Sequence, residues 1–282
     1  MKNNINKRFV FFLFLQMFMG ILPLAQAAKL AIVIDDIGYS VREDQRVYQL
    51  PKEISVAIIP SAPYAKARAE NAFAQKRDIL IHLPMQPQNA QQAIEKPALL
   101  VGDDFAKAQS LLENARQRVP YAIGLNNHMG SGVTADKATM RHFMQALAEQ
   151  KLFFLDSKTG PSVATKVAAE FGISALERHV FLDDSNEYHD VLHQFQQAKD
   201  YARKHGVAIL IGHPRKNSID VLEKELKTLP ADIQLVSMGS LWRHEKVEPS
   251  KPLIVIFDME PAPTSVQPFE HVSPLLRGIP KE

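Results

Sequence analysis

The stretch LAIVIDDIGYS (residues 30–40) runs five apolar residues straight into two carboxylates, Asp35 and Asp36, with Gly38 just beyond. A short unbroken apolar run predicts a strand covered on both faces, as in parallel sheets. A buried strand that ends in two like charges needs something to compensate them. Side chains alternate along a regular strand, so adjacent Asp residues can share one face only where the strand terminates.

The same texture recurs in ISVAIIP (54–60), DILIHLP (78–84), YAIGL (121–125), KLFFLD (151–156), HVFLD (179–183), VAILIG (207–212) and IQLVSM (233–238). Between most of these runs lie amphipathic stretches at helical spacing, over 64–75, 104–118, 136–150, 162–171, 188–205 and 219–227. Strands alternating with helices of this length predict parallel βαβ units. Seven or eight units in about 215 residues suit an α/β barrel, regular or distorted, better than an open sheet, and either fold gathers functional side chains at the carboxyl ends of its strands.

The flanks read differently. Lys2, Lys7 and Arg8 precede an apolar core and the small residues Ala25 and Ala27, which predicts an export signal over 1–27 with cleavage after Ala27. Without it the chain keeps 30 basic and 31 acidic residues, a net charge of −1, so its basic character belongs to the signal and does not point to nucleic acid. No later run is long and apolar enough for a membrane span. The absence of Cys excludes disulfides and thiolate chemistry and accords with an oxidising space such as the bacterial periplasm. Seven prolines from Pro249 to Pro280 mark 246–282 as an extended tail, leaving 28–245 as the single catalytic-size domain.

The residues that follow the apolar runs form a pattern. Asp35 and Asp36 follow the first, His82 comes within the third, and Asn126, Asn127 and His128 follow the fourth. Asp156, the pair Asp183 and Asp184, and His213 follow later ones. Asp at a strand end commonly caps a helix or makes a turn, and Asp183 and Asp184 are read that way. The set as a whole is harder to attribute to turns, because parallel strands bring all its members to one mouth. The other seven histidines lie in helical, loop or tail contexts and are read as solvated or packing residues.

Two carboxylates at that mouth call for a cation. One Asp with two neutral imidazoles makes a tripod for zinc or a similar divalent metal with a position left for water. The other carboxylate can take a proton from that water, and a histidine opposite can protonate a leaving group. This is a layout for metal-assisted hydrolysis.

In order along the chain, VIDDIGYS, ILIHLPMQP, GLNNHMGSGVT, FFLDSKT and LIGHPR resemble the divergent polysaccharide deacetylase family over roughly residues 29–243. The resemblance implies the distorted (β/α) barrel of polysaccharide deacetylases and removal of acetyl groups from an N-acetylated or O-acetylated cell-envelope glycan. It implies Asp35 as catalytic base, Asp36 and His82 as metal ligands and His213 as acid. A second histidine is expected four residues after the first, where this chain has Gln86; His128 is the candidate replacement. Asp156 is expected to orient a histidine or touch the metal, with Ser157 beside it, and Tyr39, Met129 and Arg215 are candidate groove residues. A glycan-binding or scaffold protein on the same fold is the alternative. Phosphoryl transfer with magnesium on the pair Asp35 and Asp36, with Asp156, Ser157, Lys158 and Thr159 as the candidate source of a nearby lysine or hydroxyl, is the weaker one, because histidines fit magnesium poorly.

Overall fold

The computed structural model describes residues 27–89 and 91–242. The expected tail and, apart from Ala27, the expected export signal lie outside the described residues. All eight predicted strands form: β1 (Ala28–Ile37), β2 (Ser55–Ile58), β3 (Ile79–Met85), β4 (Gly124–Met129), β5 (Phe153–Asp156), β7 (Val180–Phe181), β8 (Val207–Gly212) and β9 (Ile233–Val236). A short strand that periodicity did not reveal, β6 (Ala175–Glu177), joins them.

The helices are α1 (Val41–Val47), α2 (Ala65–Ala74), α3 (Phe105–Arg118), α4 (Ser131–Ala135), α5 (Lys137–Glu149), α6 (Ala164–Glu170), α7 (Tyr188–His205), α8 (Lys216–Glu225) and α9 (Met238–Trp242). Six match the predicted amphipathic stretches; α1 is not among them, and α4 and α9 are too short to show a period. Local chemistry sets their ends. Asp104 and Asp136 accept the backbone N–H groups of Lys107 and Thr139, capping α3 and α5. Arg203, Lys204 and His205 fill the last turn of α7, which Gly206 closes in the left-handed region.

Every strand pairing is parallel, in the order β6-β5-β4-β3-β2-β1-β8-β7. β9 pairs with the first part of β1 and β2 with the second, so the two share one edge of that strand. The two ends of the order, β6 and β7, are separated in sequence only by Arg178 and His179. Three residue steps span about 10 Å at full extension. A chain can pass from one edge of the sheet to the other over that distance only if the sheet has curled round on itself. The fold is therefore a distorted (β/α) barrel.

The strands sort their side chains by alternation. Leu30, Ile32 and Ile34 of β1 and Ile79, Ile81 and Leu83 of β3 join the larger apolar core with residues of the helices. Ala31, Val33, Ala57, Leu80, Phe153, Leu155, Ile209 and Ile211 form a second, smaller cluster that fills the barrel lumen. Phe153 is the bulkiest of these and is fully buried. It fits because its neighbour is Gly124: a Cβ there would lie 2.4 Å from the Phe153 ring.

Gly124→Ala is accordingly expected to destabilise the fold by about 1–3 kcal/mol through overpacking. The measurement is a lowered urea midpoint at unchanged slope, and a wild-type midpoint would mean that the Phe153 ring has room to shift.

Candidate metal centre

The inward rows of the lumen continue, two residues further along each strand, into a polar layer. Val33 leads to Asp35, Leu80 to His82, Gly124 to Asn126 and then His128, Leu155 to Ser157, Phe181 to Asp183, and Ile211 to His213. Alternation alone places these six rows at the mouth. Asp36 is one residue out of step and should face the helices. Its backbone instead takes φ of +56°, and the pairing of β1 with β2 shifts register between Ile34 and Ile37. That turn brings the second carboxylate round to the mouth and returns Ile37 to the outer core. The following loop is pinned by Asp44, fully buried, which accepts from the Gly38 N–H and pairs with Arg68 at 2.8 Å.

Asp36 Oδ1 lies 3.3 Å from His82 Nε2 and 3.1 Å from His128 Nδ1, and the two ring nitrogens are 3.1 Å apart. Asp35 Oδ2 stands 3.6 Å from the same His82 nitrogen. Asp36 Oδ1 is buried yet makes no aligned hydrogen bond. A tetrahedral ion with bonds of about 2.0–2.1 Å sets its ligands about 3.3–3.4 Å apart. The triangle of Asp36, His82 and His128 has nearly those edges, so the residues present fit a divalent ion.

Asn126 fixes which nitrogen of His82 faces the triangle. Its amide nitrogen donates to Asp35 Oδ1 at 2.8 Å and approaches Ser157 Oγ at 3.3 Å. An ionised carboxylate only accepts, so the amide oxygen must turn the other way, to His82 Nδ1 at 2.9 Å. His82 then donates from Nδ1 and turns Nε2 towards Asp36.

Across the mouth, His213 Nε2 is 3.7 Å from Asp36 Oδ2, and its Nδ1 is 2.9 Å from Asp183 Oδ1. Asp183 also accepts from the His213 backbone N–H at 2.8 Å and the Ser218 hydroxyl at 2.7 Å. Charge and burial compete at each group. Burial raises the Asp35 carboxyl and prevails over His82 and His213, which pull it down. Burial also pushes Asp36 upward, but its contacts with His128 and His82 hold it far below the usual carboxylate range. For His82, burial is outweighed by Asp35 and Asp36, which push it up to about 9. His213 is likewise raised, since Asp183 outweighs the desolvation that opposes its charge.

Five of the six expected site residues therefore come together: Asp35, Asp36, His82, His128 and His213. Asp156 does not join them. It lies on the outward face of β5, in step with Phe154, and its Oδ1 accepts from the Lys158 N–H at 2.8 Å. Among the described residues no hydrogen bond or ion pair joins it to a histidine. The carboxylate that orients a histidine is Asp183, read from sequence as a turn or cap. Alternation would have found it, because Phe181 faces inward and Asp183 is its next inward neighbour. The same rule finds Asn126. Gln86 sits clear of the triangle, its Oε1 accepting from the Val101 N–H at 2.9 Å. Lys158 pairs with Glu177 at 2.6 Å. Of the groove candidates, Tyr39 and Arg215 are exposed and Met129 is half-buried.

Residues 32–242 match the family described as divergent polysaccharide deacetylase. A Haemophilus influenzae protein, itself uncharacterised, is 58% identical over 255 residues, 90% of each chain. The uncharacterised protein YibQ of Escherichia coli is 41% identical over 227 residues, 80% of this chain and 71% of that one. An uncharacterised Agrobacterium tumefaciens protein of solved structure shares the fold, with a TM-score of 0.72 at 21% identity over 77% of this chain and 90% of that one. The matched span holds every residue of the site from Asp35 to His213, and the chain belongs to the divergent polysaccharide deacetylase family.

Proposed function

We propose that this protein is an exported, zinc-dependent hydrolase of the periplasm that removes acetyl groups from an N-acetylated or O-acetylated cell-envelope polysaccharide. The observation that carries the reading is the triangle of Asp36 Oδ1, His82 Nε2 and His128 Nδ1, flanked by a buried carboxylate and a carboxylate-backed histidine. Family membership supports the acetylated glycan as substrate, and the N-terminal sequence supports export. Among the described residues no helix is long and apolar enough to cross a membrane.

Asp36, His82 and His128 would hold the ion. Bound there, a divalent ion acidifies a water and polarises an acyl oxygen. Asp35, held in place by Asn126 and raised by burial towards a useful basicity, accepts the proton of the attacking water. His213 keeps its ring fixed through Nδ1 on Asp183 and presents Nε2 to the mouth. From there it donates a proton to the departing amine or alcohol.

Elemental analysis is expected to find about one zinc per wild-type chain and little in His128→Ala or Asp36→Ala, as loss of one of three ligands requires. A wild type that stays empty when zinc is supplied would overturn the reading. Asp35→Asn is expected to keep its zinc while acetate release from acetylated oligosaccharides falls about 10²–10⁴-fold. A zinc-loaded wild type that binds such oligosaccharides and frees no acetate would favour the glycan-binding alternative.

Zinc uptake should also be proton-linked. With His82 at about 9 in the metal-free chain, the ring is charged at pH 7 and must lose its proton to bind metal. Affinity therefore rises with pH up to about 9 and falls as the solution is acidified. Calorimetry in two buffers of different ionisation enthalpy reads the proton released, and uptake without release at pH 7 would contradict this assignment.

A further inference from the structure

The nitrogen of His128 that faces away from the triangle has a partner of its own. His128 Nε2 lies 3.1 Å from Glu95 Oε2, and both atoms are buried, with no aligned hydrogen bond to each other or to any other described group. Glu95 reaches this position from the connection between β3 and α3, whose two ends are clamped together. Leu99 pairs with Met85, the Leu99 N–H donates to the Pro84 carbonyl, and the Gln86 N–H donates to that of Leu99, each at 2.9 Å. The Gln86 side chain adds the bond to Val101, and the Gln88 N–H donates to Ser131 Oγ at 3.0 Å. A connection tied at these points delivers Glu95 to one place.

We propose that Glu95 is a positioning residue for His128, fixing its tautomer and strengthening the hold of the Asp36–His82–His128 site on its divalent ion; this rests on the metal-site reading above. A carboxylate offers only acceptors, so the single proton of a neutral His128 ring is drawn to Nε2. The lone pair of Nδ1 is then left to point between Asp36 and His82, where the triangle needs it. Asn126 performs the same service for His82 with a neutral amide. Glu95 performs it with a charge, which makes the imidazole a stronger donor. It also adds a further negative group, besides Asp35 and Asp36, against the charge of the ion. The two histidine ligands are thus oriented by unlike partners, one from the strand layer and one from the connection above it.

The test is zinc affinity by competition with a chelator, wild type beside Glu95→Gln, Glu95→Ala and His128→Ala. Glu95→Ala is expected to bind zinc about 10–100-fold more weakly. Glu95→Gln, which keeps an acceptor and loses the charge, is expected to fall between it and wild type. Thermal unfolding of the metal-free chains should be the same for wild type and both Glu95 variants, separating positioning from a fold effect. Nitrogen-15 spectra of the zinc-loaded chain should show one ligating histidine bound through Nδ1 with its proton on Nε2. If both Glu95 variants hold zinc as wild type does while His128→Ala loses it, Glu95 is a bystander and the tripod stands alone. If neither wild type nor His128→Ala takes up zinc, the metal-site reading falls and this proposal falls with it.

Discussion

The alternation of side chains along strands curled into a distorted barrel is the constraint from which the rest of the molecule follows. Each strand sends every second residue into a lumen filled by the Phe153 ring and aliphatic groups, with Phe181 packed against them. While those inward residues are apolar the lumen is a packed core. Two residues later, with no change of direction, they become Asp35, His82, Asn126, Ser157, Asp183 and His213. The polar layer needs no separate scaffold, because the apolar layer beneath it holds the strands that carry it.

That arrangement places ionisable groups where water is scarce, and they are stable there only in combination. Asp35 leans on Asn126, Asn126 on His82, and Asp183 on His213 and Ser218. Asp36 is the member that neutral partners do not complete, since Oδ1 faces two ring nitrogens and accepts an aligned bond from neither. Its left-handed backbone is uncommon for a residue with a side chain. The cation proposed among these three groups would give that geometry a physical purpose and would compensate the two acids that end a buried strand.

Much of this was legible in the sequence, because buried parallel strands write themselves as apolar runs. Eight such runs became eight strands, and the residues closing them included five that now share the mouth. The misreadings have definite causes. Asp156 and Asp183 both follow an apolar run, and only counting in twos from Phe153 and Phe181 separates the outward one from the inward one. β6 is three residues long with no period to detect, yet it shows how the sheet closes. The turn at Asp36 depends on backbone geometry that no spacing reveals. Glu95 lies in a connection without periodicity, and the ties at its two ends, among them the pairing of Leu99 with Met85, carry it to His128.

Phe153 has a bearing on traffic. Its ring fills the lumen below the polar layer, Gly124 gives it the space, and Trp242 lies behind it with ring centres 5.2 Å apart. Side chains packed in this way leave few voids larger than a water molecule. The site is a cul-de-sac: whatever enters at the mouth leaves by the mouth. In the proposed reaction both products would therefore use the same opening.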